Sequence, residues 1–110
     1  MANRHRGEIE AIIDGVPRRL CLTLGALAEL EQAFGVEDML SLAQRFGSGR
    51  IASRDAILVL GAGLRSGGYA LDDAAVAKMA IDGGAVGAID VVARLLAATF
   101  GGGASGSGNA

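Results

Sequence analysis

Histidine, cysteine, proline and lysine occur once each in these 110 residues, and tryptophan is absent. A single cysteine, Cys21, excludes an internal disulfide framework and any cysteine-only metal cage, and it fits a reducing compartment. The one histidine, His5, stands between Arg4 and Arg6 in a polar N-terminal stretch. Without neighbouring cysteines it cannot build a zinc site, and it reads as a solvated side chain. With His5 outside the core, no serine, threonine or cysteine has a histidine base to activate it, which argues against nucleophilic catalysis of that kind. An excess of one charge is also missing: ten basic side chains against twelve acidic give −2 at pH 7. Nothing there draws nucleic acid or an anionic lipid surface. Long apolar runs are missing as well. The longest, 85–100, is interrupted by Asp90 and Arg94 and is too short to span a bilayer. The opening MANRHRGEIE carries charge with no apolar segment after it, unlike a signal peptide. The expectation is a soluble, cytoplasmic protein without cofactor or metal, binding neither nucleic acid nor membrane.

What is present suffices for a core. Hydrophobic residues make up 51% of the chain and the mean hydropathy is +0.41, too apolar for disorder. The eighteen glycines punctuate segment ends and gather in the last ten residues, GGGASGSGNA. That stretch has no charge and no large apolar side chain, so it reads as a disordered Gly/Ser tail over 101–110. A flexible N-terminus over 1–6 and a single folded unit over 7–100 complete the expected organisation.

The chain from Glu8 to Ile13 begins in alternation, and Asp14-Gly15 suits a tight turn. The return strand, Val16 to Leu22, places Leu20 and Leu22 on one face and Cys21 on the other. Pro17 marks that strand as an edge or sits at its start. The hairpin should dock on the rest of the chain through Ile9, Ile12 or Ile13, Leu20 and Leu22. Thr23 then offers an N-cap to a helix over 24–34, with Leu24, Leu27, Leu30 or Glu31, and Phe34 as its stripe and Gly35 as its stop. Glu37 and Asp38 open a short second helix that buries Met39, Leu40, Leu42, Ala43 and Phe46. Ser53 caps a third, Arg54 to Arg65, which is apolar nearly all round and so must be covered on most sides. Gly61 and Gly63 within it imply close approach of a neighbour. A fourth helix, Ala74 to Ile81, is capped by Leu71-Asp72-Asp73, buries Val76, Met79 and Ala80, and exposes Lys78. The last runs from Ala85 to Phe100, with Asp90 and Arg94 on its solvent face. The pattern predicts an α+β fold, mainly α: an N-terminal β-hairpin followed by a compact bundle of about five helices.

Few residues invite chemistry. The carboxylate pairs Glu37/Asp38 and Asp72/Asp73 fall at helix starts, where capping alone accounts for them, and Glu29/Glu31 is the remaining pair. The run Gly61-Ala62-Gly63-Leu64-Arg65-Ser66-Gly67 superficially suggests a dinucleotide fingerprint, but its spacing is wrong and it lies late in a helix. Cys21 between two leucines reads as a packed thiol. Nine arginines to one lysine carry no functional meaning. The candidates for partner binding lie on the last helix: Val86, Ile89, Ala93, Leu96 and Phe100 form one stripe, with Val92 and Leu95 beside it. That arc is wider than one neighbouring helix covers. It is either the centre of a small bundle or a partner surface carried by Val92, Leu95, Leu96 and Phe100.

The stretch Cys21-Leu22-Thr23-Leu24-Gly25-Ala26-Leu27-Ala28-Glu29-Leu30-Glu31, then Phe34-Gly35-Val36 and later Gly61-Ala62-Gly63-Leu64-Arg65, resembles the small gene transfer agent proteins of alphaproteobacteria. These are similar to siphophage tail assembly chaperones, and the family has also been labelled a phage tail tube protein. The resemblance covers 7 to about 100 and carries no catalytic residues. It implies a non-enzymatic helper of tail morphogenesis that holds the tape measure protein soluble in the producing cell. It also implies tail proteins as partners, with self-association and association with the particle left open. The alternative is a structural subunit of the tail tube, for which long strands closing a ring would be expected. An enzyme of small-molecule metabolism has no residue to support it.

Overall fold

The computed structural model describes residues 7–35, 44 and 52–101. Its N-terminal hairpin follows from alternation and a turn. Strands β1 (Ile9–Ile13) and β2 (Val16–Leu20) pair antiparallel, from Ile9 opposite Leu20 to Ile13 opposite Val16. Asp14 and Gly15 both adopt positive φ, 56° and 75°, the mirror-image turn whose twist matches that of the strands. Ile9, Ala11, Ile13 and Leu20 are buried, whereas Ile12 turns outward. The period of two settles which isoleucine docks. Leu22 lies beyond the strand and is only half-buried.

Among the described residues the sheet stops at two strands because its edges are already occupied. Beside a two-residue turn, hydrogen-bonded and outward-facing positions alternate, so residues 10, 12, 17 and 19 face the edges. On β2, Pro17 has no N–H, and Arg19 N–H donates to the Tyr69 hydroxyl at 3.2 Å. On β1, the Ile12 carbonyl accepts from Asp82 N–H at 3.1 Å and the Glu10 carbonyl from the Arg94 guanidinium at 3.1 Å.

Four α-helices follow among the described residues, and the fifth expected helix falls on 37–46, of which only residue 44 is described. Helix α1 (Leu24–Phe34) starts at Thr23, whose hydroxyl accepts from Ala26 N–H at 3.1 Å, and ends at Gly35 in the left-handed conformation. Its buried positions are Ala26 and Leu30; Leu24, expected on that stripe, is 85% exposed. Helix α2 (Ser53–Ser66) starts one residue early, with Ala52 at the cap position and no side-chain cap, so Ser53 is inside the helix. Helix α3 (Asp73–Ala77) is capped by Asp72 and is shorter than expected, because Ile81 leaves the helix to bridge to Ile13 of β1. Val76 is buried and Met79 partly so, but Ala80 is exposed. Helix α4 (Gly84–Leu96) runs into a π-helical turn, Ala97–Gly101. There the Thr99 hydroxyl donates to the Leu95 carbonyl at 2.7 Å, competing for the acceptor an α-turn would use.

Helix α2 is the hub. It packs against α1, α3, α4 and β2, which is why seven of its fourteen residues are buried. A Cβ on Gly63 would stand 2.7 Å from Leu95 Cδ2 and 3.3 Å from Leu20 Cδ2, so glycine there lets α4 and β2 meet over α2. At Gly61 the close neighbour is instead the Asp73 carboxylate.

Candidate functional site

Helix α4 carries the residues singled out for partner binding, and its faces divide differently from the expected stripe. Val91, Val92, Leu95 and Leu96 are buried, with Val92 and Leu95 at 0% exposure and Leu96 at 5%. Phe100, in the π-turn, is partly buried against the same core. Three of the four proposed binding residues thus fill the interior under α2, and the surface they would offer a partner lies inside the domain. The first stripe also divides: Leu96 is buried and Phe100 partly so, while its other members face out. Val86 is 77% and Ile89 42% exposed, and Ala93 also faces solvent. Asp90 and Arg94 do lie on the solvent side, paired at 3.0 Å. The packing at Gly63 fixes the helix rotation, and one helix's spacing cannot report that contact.

Two concavities flank α4. A cleft of about 240 Å³ between β1 and α4 is lined by Glu10, Asp82, Asp90 and Arg94 with apolar walls. Two of its four charges, Arg94 and Asp90, pair with each other, and Arg94 also donates to the Glu10 backbone carbonyl. On the other side, an open apolar groove of about 170 Å³ lies between α2, α3 and α4. Ala56, Ile57, Leu60, Met79, Ile81 and Ile89 form much of its wall. Of the outward residues Val86, Ile89 and Ala93, Ile89 lines this groove.

Several polar residues away from these concavities brace the fold. Arg65 donates to Glu29 of α1 at 2.8 Å, to Asp73 of α3 at 3.0 Å and to the Leu71 carbonyl at 3.0 Å. Burial works against its charge, but the hydrogen bond to Asp73 and the fields of Glu29 and Asp73 outweigh that and push its pKa above the ordinary value. Asp72 accepts from Ala75 N–H at 2.8 Å as a cap. The expected fingerprint-like glycine run lies within α2 and the turn after it. Cys21 is half-buried, with its thiol donating to the Ser66 carbonyl at 3.3 Å. Burial raises its pKa and Glu8 adds to that, partly offset by Arg19. A thiol held protonated is a poor nucleophile. Among the described residues, no His/Cys/Asp/Glu group could hold a metal and no helix is long and apolar enough to cross a membrane. His5, Glu37 and Asp38 lie outside the described residues.

No curated protein and no solved structure matches this chain. A family model does, over residues 6–102, which takes in the hairpin and all four helices. Its description is "Phage tail tube protein, GTA-gp10". The chain belongs to this gene transfer agent tail family.

Proposed function

We propose that the chain is a structural, non-enzymatic component of the tail of a phage-like gene transfer agent particle. The family match over residues 6–102 carries this reading. Its partners are other tail proteins and further copies of itself. It is made in the cytoplasm of the producing cell and then joins the particle. The residues agree with a packing role: the carboxylates of Asp72, Asp73 and Glu29 cap and brace helices, and the one thiol is held protonated.

One observation favours a second reading, a tail assembly chaperone that binds the tape measure protein. The described chain has a two-stranded sheet whose edges are taken up by Pro17, Tyr69, Asp82 and Arg94. Such a sheet cannot grow into a ring wall by adding strands. Mass spectrometry of purified particles beside the cell lysate separates the two. A tail component is abundant in both, whereas a chaperone is present in the lysate and scarce in particles. Absence from particles would refute the structural reading.

A further inference from the structure

We propose that copies of this chain associate head to tail, with the outward face of α1 on one copy docking into the apolar groove between α2, α3 and α4 of the next. The inference rests on the tail-component reading and specifies the surface that serves it. A ring or tube built from one chain needs a heterologous contact, in which two different patches of the same chain meet. Both patches are present. The first is the face of α1 opposite its core, where Leu24 is 85% exposed. Leu27, Ala28 and Glu31 follow it at three, four and seven positions, half-buried or exposed. That face is apolar and ends in a carboxylate. No basic residue lies on α1.

The second patch is the groove. At about 170 Å³ it exceeds the roughly 150 Å³ engineered cavity that admits a benzene, so a leucine side chain fits. Its charged surroundings complement α1. Arg54 and Lys78, next in the chain to the lining residues Ser53 and Ala77, are exposed and have no ion pair among the described residues. Asp55, the acidic residue beside Arg54, is half-buried and already engaged, and Asp82 and Asp90 line the opposite cleft. An α1 that inserts Leu24 brings Glu31 one helical turn beyond Leu27, toward that basic rim. With both strand edges closed, helical surface is what remains for assembly.

Sedimentation velocity of the full chain over a concentration series tests the contact. The parent is expected to grow past a dimer as concentration rises. Leu24→Glu is expected to weaken association about 30-fold, the value of burying one leucine, with an unchanged melting temperature because the side chain is exposed. Ile89→Glu should do the same from the groove side; if that variant fails to fold, Ala85→Glu takes its place. An equimolar mixture of the α1 and groove variants retains one intact α1 face and one intact groove, and should form a 1:1 dimer that grows no further. A parent monomeric at every concentration, variants that associate like the parent, or a mixture that stays monomeric would each overturn the proposal. Entry of Leu24→Glu into particles at the parental level would overturn the contact and leave the tail reading standing. Association in solution by a chain absent from particles would refute the tail reading and support the contact.

Discussion

Substituting Gly63 tests whether the meeting of α2, α4 and β2 governs the packing of this domain. A methyl at Gly63 would stand 2.7 Å from Leu95 Cδ2 and 3.3 Å from Leu20 Cδ2. Both leucines are fully buried, so neither can swing aside. Gly63→Ala gains about 1 kcal/mol of helix propensity and costs about 1–3 kcal/mol in overpacking, for a net loss of about 1 kcal/mol. Leu95→Ala alone should cost about 3 kcal/mol through lost burial and a cavity. Together the two changes relieve each other, because the new methyl enters space that Leu95 vacates. The double variant should therefore fall only about 2.5 kcal/mol below the parent, a coupling on the order of 1.5 kcal/mol. Urea unfolding of the four proteins measures the cycle, and each 1 kcal/mol corresponds to about 4–8 °C in Tm for a domain of this size. Losses that add within about 0.5 kcal/mol, or a Gly63→Ala variant more stable than the parent, would refute the reasoning.

Thr23→Ala should cost about 1 kcal/mol in the same assay, since it removes the oxygen that accepts from Ala26 N–H, and Thr23→Ser should restore most of it. For Cys21, the folded pKa lies above that of the unfolded chain, so its contribution to stability is present below the ordinary thiol range and is lost as pH rises through the folded value. Alkylation of the folded chain should accordingly need a more alkaline pH than alkylation in urea. Coincident pH–rate profiles would contradict the shift.

The parts of the fold legible in the sequence are those fixed by neighbours along the chain. Asp14-Gly15 sets the turn, Thr23 and Gly35 bound the first helix, and Asp72 caps α3. What escaped depends on contacts distant in sequence. Helix α3 ends at Ala77 because the chain is drawn across to β1, where Ile81 bridges Ile13 and Asp14 accepts from Ala80 N–H at 2.8 Å. Leu24 looks like core by spacing alone, yet Ala26 and Leu30 face α2 and leave it outside. A stripe of threes and fours fixes the period of a helix, but its rotation is set by the partner.

That same ambiguity governs the site. The spacing of α4 leaves its wide arc open to two readings, bundle centre or partner surface, and the structure divides it: Val92, Leu95 and Leu96 are buried, and Val86, Ile89 and Ala93 face out. The small residue that decides between them is Gly63, 32 positions earlier, and only the fold brings it to Leu95. The closure of the hairpin edges was half legible. Pro17 announced an edge, while Tyr69 and Arg94, which take up the backbone groups of Arg19 and Glu10, arrive from helices and loops 50 and 84 residues away. A strand edge closed by distant side chains cannot be extended without giving up those bonds. Any assembly of this chain through its hairpin therefore begins at a cost that assembly through α1 and the groove does not carry.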